Sequence, residues 1–189
     1  EPWYPGETVI AGIGQGFNVV TPVQLAVALT ALANGGERYA PQLLFASKHA
    51  GNEQAVRMRS ETAQHIPIVE QGNWEAVREG MRRVVHGSAG TARALKPLSG
   101  YEMAGKSGTA QVVGLARDED QKADEVAEHL RHHALFIGFA PVDHPLIVVA
   151  AVVEHGGGGS RQAAPVVKAV IETFLGQELP QQASGEAGE

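Results

Sequence analysis

Two apolar runs separated by a short linker constrain the fold of this chain more than any other feature. Residues 134–140 read ALFIGFA and residues 146–153 read LIVVAAVV, with PVDHP between them. Runs of this length and β-branched content are typical of buried strands. Parallel strands need a crossover of about a dozen residues or more, so the short linker predicts an antiparallel hairpin.

Apolar residues at helical spacing predict helices around this hairpin. A capping box formed by Thr21 and Gln24 places the start of the first helix. The other predicted helices are residues 73–86, with Trp74, Val77, Met81 and Val84 inward, residues 118–131, charged and on the surface, and residues 165–175, with Val167, Val170, Ile171 and Phe174 on one face. Residues 1–20 are expected to be extended, and residues 42–46 a short strand. Strands with segregated helices predict an α+β domain over residues 1–176, followed by a disordered polar tail at 177–189.

The composition excludes several classes of function. The 189 residues carry 15 Lys and Arg against 21 Asp and Glu, a formal net charge of −6. Such a chain would release few counterions from a nucleic acid, so we expect no nucleic-acid partner. The absence of cysteine excludes disulfides and thiolate catalysis. No window approaches the length of apolar sequence that a bilayer-spanning helix requires.

The segment Gly100–Ser107, GYEMAGKS, has the spacing of a phosphate-binding P-loop. A P-loop needs a buried strand before it and a helix after it, because the helix N-terminus helps to hold the phosphates. Lys96 and Pro97 precede the segment, and the β-branched pair Val112 and Val113 follows it. Neither context fits, so nucleotide binding is the weakest hypothesis for this segment, and we expect no cofactor.

A strand at the edge of a sheet explains the same residues better. Lys106 offers a cation, and Ser107 and Thr109 offer hydroxyls, which together can hold a carboxylate. Gly108 carries no side chain, so a second backbone can lie against the strand and bond to its amides. The Thr109 amide could then face a developing oxyanion. The alternative is an ordinary glycine-containing strand with a solvated lysine.

The hexapeptide KSGTAQ at 106–111 resembles the third signature motif of penicillin-recognising serine enzymes. Other segments, in the same order along the chain, are similar to class B penicillin-binding proteins: GIGQG at 12–16, TPVQ at 21–24, LANGG at 32–36 and HALFIGFAP at 133–141. PWYPG at 2–6 and AQVVGL at 110–115 are most similar to the elongation-type group, penicillin-binding protein 2. The resemblance covers residues 1 to about 176.

The resemblance implies a β-lactamase/transpeptidase-like fold, incomplete in this chain, and the activity of a peptidoglycan D,D-transpeptidase. In that reaction a serine attacks the carbonyl between the two terminal D-alanines of a stem peptide, and β-lactams imitate that dipeptide. It also implies a membrane glycosyltransferase of the cell-elongation machinery as a partner. The implied location is the periplasmic face of the bacterial inner membrane, with an anchor upstream of this chain.

Site roles follow from the same resemblance. Lys106 is expected to steer the terminal carboxylate of the peptide, and Ser107 and Thr109 to bind it. The Thr109 amide is expected to form half of the oxyanion hole. Gly108 and Gln111 would complete the strand that pairs with the substrate.

The sequence departs from the family pattern at the nucleophile. No Ser is followed three positions later by Lys, and no Ser-x-Asn occurs. We therefore expect this chain to be the carboxyl-terminal part of a longer protein, inactive alone, with the strand at 146–153 missing a neighbour. The alternative is a non-catalytic peptide-binding module with the same fold, which never had a nucleophile.

Four residues around the charged segment, Glu125, His129, His132 and His133, raise the alternative of a metal site. We expect no metal there, because the segment is charged and exposed and adjacent histidines usually diverge. The resemblance instead implies that this segment lies beside the substrate groove. His155, next to a run of glycines, is a further candidate for the mouth of the site.

Overall fold

The computed structural model describes residues 2–44, 46–48, 56–58, 62–97, 100–112 and 127–185. The helices and strands within them are α1 Pro5–Gly12, α2 Pro22–Ala33, β1 Glu37–Tyr39, β2 Ala46–Ser47, β3 Val56–Arg57, β4 Thr62–His65, α3 Gln71–His86, β5 Ala104–Ala110, β6 His133–Ala140, β7 Ile147–Val153 and α4 Gly159–Gly185. Short 3-10 turns lie at Arg93–Leu95 and Glu128–Leu130. None of the described helices has the length and apolarity that crossing a membrane requires.

The central element is a three-stranded antiparallel sheet in the order β5-β6-β7. β6 and β7 form the predicted hairpin, with Phe136 opposite Ala151. β5 pairs with the other side of β6, with Ser107 opposite Phe136. Two small antiparallel pairs, β1 with β4 and β2 with β3, lie outside this sheet. The sheet and its helices confirm the expected α+β class.

Each face of the sheet is covered by different helices, because successive strand residues point to opposite faces. On one face α4 packs through Val167 and Ile171 against Phe136, and all three are buried. On the other face α2 and α3 contribute Leu29 and Met81 against Phe139. The sheet therefore lies between helices. Its two outer edges, formed by β5 and β7, remain the places where another strand could pair.

The start of α2 is as the sequence predicts. The Thr21 hydroxyl accepts a hydrogen bond from the Gln24 amide at 3.3 Å, and the Gln24 side chain accepts one from the Thr21 amide at 2.8 Å. Pro22 occupies the first turn, where its missing amide hydrogen costs nothing. α2 ends before Gly35 and Gly36, which have positive φ angles.

The amino-terminal segment and the early strands differ from expectation. Residues 5–12, expected to be extended, form α1, because Pro5 suits a first helical turn and Glu7 favours its dipole. Of the strand expected at 42–46, residues 42–44 are not in a strand, whereas Ala46 is the first residue of β2. β1 lies earlier, at Glu37–Tyr39, because its residues find a partner in β4.

α3 and α4 are longer than predicted. α3 begins at Gln71, and Val77, expected inward, is 52% exposed, while Val85 is buried. In α4, Val167, Ile171 and Phe174 face the core as expected, whereas Val170 is exposed. α4 runs from Gly159 to Gly185, so residues 177–185, expected to be disordered, lie in this helix.

The charged helix predicted at 118–131 falls mostly outside the described residues. Of its described part, residues 128–130 form a 3-10 turn that leads into β6.

Candidate peptide-binding edge

β5 carries the predicted motif and is the outer strand of its sheet. Among the described residues, no strand pairs with the side of β5 that faces away from β6. We call this side the free edge of β5, residues Ala104–Ala110. An unpaired strand side presents amides and carbonyls that can bond an added strand.

Alternate residues of β5 direct their backbone groups to this free edge. Gly108 of β5 and Leu135 of β6 are opposite each other in the sheet, and their carbonyl oxygens point toward the same place. This is evident at Gly159, where an added methyl group would overlap both oxygens. Carbonyl oxygens that converge in this way belong to a pair that exchanges both ladder hydrogen bonds, so Gly108 bonds to β6. Because the pattern alternates, Ser107 and Thr109 direct their amides and carbonyls away from β6, along the free edge.

The Lys106 ammonium also lies along the free edge. Its Nζ donates to the Ser107 carbonyl oxygen at 2.6 Å, one of the outward-facing acceptors. The side chain is exposed, so the charge is available to a ligand approaching from solvent. The structure therefore brings Lys106 and the outward backbone of Ser107 and Thr109 to one side of one strand.

A groove of about 540 Å³ runs beside the carboxyl-terminal half of β5. Gly108, Thr109 and Gln111, with Leu135 of β6 and Val152 of β7, line one wall, and residues between Ile13 and Leu25 line the other. Lys106 is not among the residues that line it. The groove thus joins three of the predicted site residues, while the wall contributed by the amino-terminal segment was not anticipated from the sequence.

Glycines shape both walls of the groove: Gly108 lies in the wall formed by the sheet, and Gly14 and Gly16 lie in the wall formed by the amino-terminal segment. Gly14 and Gly16 have φ angles of +77° and +66°, where a side chain is strained. They let the chain turn back toward β5 before the capped start of α2. Their sequence, GIGQG, was the one available signal that this segment is built for a close approach.

Polar side chains of α3 contact the start of β5. Arg82 donates from Nε and Nη2 to the two carboxylate oxygens of Glu102, at 2.7 and 2.8 Å. His86 Nε2 accepts a hydrogen bond from the Met103 amide at 3.2 Å. Because Met103 immediately precedes β5, these contacts lie at the point where the strand begins. Nothing in the spacing of the sequence pointed to them.

Electrostatics at this contact follow from its ion pairs and its burial. The hydrogen bond from Arg82 holds the pKa of Glu102 below its usual value, and the hydrogen bond from Arg83 does the same for the pKa of Glu79. Burial lowers the pKa of His86, although the nearby Glu102 carboxylate opposes that shift. Near neutral pH the imidazole is therefore uncharged and able to accept the Met103 amide.

The histidines near the carboxyl end of β5 hold backbone groups. His133 Nδ1 accepts the His155 amide at 2.9 Å, and the two rings are 4.8 Å apart. His132 Nδ1 accepts the Val112 amide at 3.2 Å. In the described part of the chain, no three His, Asp or Glu side chains are placed to share a metal ion. Glu125 lies outside that part.

The strand conformation of Gly105–Ser107 is inconsistent with a P-loop. A side chain at Gly105 would overlap the buried Phe136 ring, so this glycine serves close packing between strands. A phosphate-binding loop needs its amides to curl around an anion, whereas these residues lie in a ladder opposite Phe136 to Gly138. The P-loop hypothesis is wrong.

Known proteins share this fold and sequence. Residues 1–172 match the family model for the penicillin binding protein transpeptidase domain. The peptidoglycan D,D-transpeptidase MrdA of Haemophilus influenzae is 39% identical over 180 residues, which are 95% of this chain and 27% of that protein. The MrdA of Escherichia coli strain K12 is 38% identical over 150 residues, which are 79% of this chain and 23% of that protein.

A solved structure agrees with these relatives. PBP2 of Pseudomonas aeruginosa, in complex with WCK 5153, superposes with a TM-score of 0.70 at 44% identity, covering 93% of this chain and 35% of that one. The chain spans about a quarter of the length of the curated relatives it matches. The matched residues include the free edge of β5 and the groove beside it, and the chain belongs to the penicillin-binding protein transpeptidase domain family.

Proposed function

We propose that this chain forms the strand-edge part of a peptidoglycan D,D-transpeptidase site, where a stem peptide ending in D-Ala-D-Ala docks along β5. The observation that carries the proposal is the free edge of β5, with outward backbone groups at Ser107 and Thr109 beside the Lys106 ammonium. The family membership of residues 1–172 supports the same activity.

In this proposal the peptide backbone adds to β5 as a further strand. Lys106 leaves the Ser107 carbonyl and pairs with the terminal carboxylate, which the hydroxyls of Ser107 and Thr109 also bind. The Thr109 amide supplies one of the two donors that stabilise the oxyanion at the scissile carbonyl. Gly108 leaves room for the approach, and Gln111 extends the pairing along the groove.

The covalent step needs a serine and a base that the proposed binding edge does not supply. A serine oxygen attacks the carbonyl between the D-alanines, the C–N bond breaks, and D-alanine leaves with the proton returned by the base. The amine of a neighbouring stem peptide then attacks the acyl-enzyme and regenerates the serine. Because this sequence lacks Ser-x-x-Lys and Ser-x-Asn, we propose that the chain alone binds without acylation.

We also propose the biological setting of the related proteins. The peptide substrate is found in the periplasm, so the site would work at the outer face of the inner membrane, held there by an anchor upstream of this chain. β-Lactams would compete for the same edge, and a membrane glycosyltransferase would supply the strands that are cross-linked.

A peptide titration tests the proposed binding. Addition of a stem pentapeptide ending in D-Ala-D-Ala should shift the amide NMR signals of residues 105–111, and an L-Ala-L-Ala peptide should not. Lys106→Ala should weaken the affinity roughly tenfold or more, since a charge-assisted hydrogen bond is lost. Lys48→Ala, which removes an exposed lysine elsewhere, is the matched control. Equal shifts with both peptides would count against the proposal.

Fluorescent penicillin separates binding from chemistry. After denaturation, the chain alone should carry no covalent label, whereas stoichiometric labelling would refute the proposed absence of acylation. The second candidate, a non-catalytic module, is favoured by the missing motifs alone. A Ser-x-x-Lys in coding sequence upstream of Glu1 would support the enzyme, and its absence there would support the module.

A further inference from the structure

One face of α3 presents three polar side chains, four residues apart, to the start of β5 and to the turn between β6 and β7. Arg78, Arg82 and His86 share this face, because residues spaced by four lie one above another on a helix. Arg78 Nη2 donates to the Val142 carbonyl oxygen at 2.6 Å. We call these three side chains the α3 polar stripe.

The stripe converges on a short stretch of backbone. Arg82 holds the Glu102 carboxylate through two hydrogen bonds, and the Glu102 carbonyl accepts the Val142 amide at 3.0 Å. His86 accepts the next amide, that of Met103. Met103 and Ala104 are fully buried, so a misplaced start of β5 cannot be compensated by solvent.

His86 is the member of the stripe that can change its hydrogen bonding with pH. Its side chain is only 6% exposed, and its Nδ1 lies 3.8 Å from a Glu102 carboxylate oxygen. Since Nε2 accepts the Met103 amide, the ring proton of the neutral imidazole sits on Nδ1. A second proton would have to bind Nε2 and would displace the Met103 amide.

We propose that His86 is a positioning residue for the peptide-binding edge: its neutral imidazole fixes the start of β5, and proton uptake at Nε2 releases it. The released Met103 amide would be left buried without an acceptor, which loosens the first residues of the strand. Lys106 lies three residues further on, so its place along the free edge depends on this contact. The consequence for peptide binding rests on the proposed function, whereas the ordering of β5 does not.

The charges that face His86 define the pH response. Burial disfavours the protonated ring most, Glu102 favours it, and Arg82 and Lys96 disfavour it. Glu102 itself stays ionised, because Arg82 holds its pKa below the usual value. The expected release therefore occurs at a pH below the ordinary pKa of histidine.

Amide exchange in a variant pair tests the proposal. His86→Leu should accelerate hydrogen exchange of residues 103–106 by roughly tenfold relative to the buried amides of α4, because the Met103 acceptor is gone. His86→Gln, whose side-chain oxygen can reach the place of Nε2, should restore most of the protection. His144→Leu, which removes an exposed histidine, should leave exchange and its pH response unchanged. Equal exchange in the Leu and Gln variants would show a packing role only and overturn the proposal.

Two measurements on the unaltered chain keep the proposal testable if the Leu variant fails to fold. Imidazole nitrogen NMR of His86 should find Nε2 without hydrogen at pH 7.5, and a hydrogen on Nε2 at that pH would overturn the proposal. Protection of residues 103–106, corrected for intrinsic exchange, should fall as the pH is lowered below 6.5, the ordinary pKa of histidine, while that of α4 holds. If exchange behaves as expected but no D-Ala-D-Ala peptide binds, the proposed function fails and the positioning role stands.

Discussion

At the scale of single residues, two glycines of β5 differ in how much space a side chain would have. A Cβ on Gly105 would overlap the Phe136 ring and lie 2.9 Å from the Ile137 carbonyl oxygen, and that ring is buried and cannot move aside. We expect Gly105→Ala to lower the free energy of unfolding by about 1–3 kcal/mol. Gly108→Ala meets only Leu135, at 3.4 Å, and should leave stability nearly unchanged. Urea denaturation of both variants measures this difference, and equal losses would contradict it.

The same pair of glycines shows how far residue-level reasoning from the sequence reaches. The chemistry of Lys106 and Thr109 suggested a strand edge, and the structure has the motif on an outer strand. The need for Gly105 could not be derived, because it arises from Phe136, a residue distant in sequence. The His86 contact was missed for the same reason: a histidine inside an amphipathic helix carries no local mark of the amide it will accept.

At the scale of elements, α2 depends on its capping box, and α2 in turn borders the groove. Thr21→Ala removes the acceptor for the Gln24 amide, so we expect a loss of about 1 kcal/mol in the free energy of unfolding. Thr21→Ser keeps the acceptor and should lose little. Urea denaturation measures both, and indistinguishable stabilities for the two variants would show that the cap contributes nothing here.

Elements were predictable from the sequence where a local signal coincided with burial. The capping box placed α2, and the two apolar runs placed β6 and β7. The prediction for the amino-terminal segment was wrong because its prolines and glycines suit the ends of a helix as well as an extended chain. In addition, α1 buries no residue, so no pattern of buried positions indicates a helix. β1 was missed because its partner β4 lies well beyond it in sequence, so its pairing is set by tertiary contacts.

At the scale of the whole molecule, stability should fall in two steps as the pH is lowered. Burial lowers the pKa of His86 in the folded chain, so below the reference value of 6.5 the unfolded chain binds a proton first and stability is lost. Glu79 and Glu102 also have lowered pKa values, so their contribution is lost below the reference value of 4.5. Urea midpoints measured from pH 8 to pH 3 test this, and His86→Gln should remove only the upper step.

The outer edge of β7 also lacks a partner strand in the described residues, since β7 pairs with β6 alone. Val152 lies on this outer strand and is 39% exposed, and such an edge can add a strand from another copy. We therefore expect concentration-dependent association of the chain in sedimentation experiments. Val152→Lys should reduce it, because a charge on an edge strand opposes pairing, whereas Val69→Lys, at a loop valine that is 91% exposed, should not. If both variants reduce association equally, general apolar exposure and not the edge of β7 is its cause. A chain that stays monomeric at every concentration would refute the expectation.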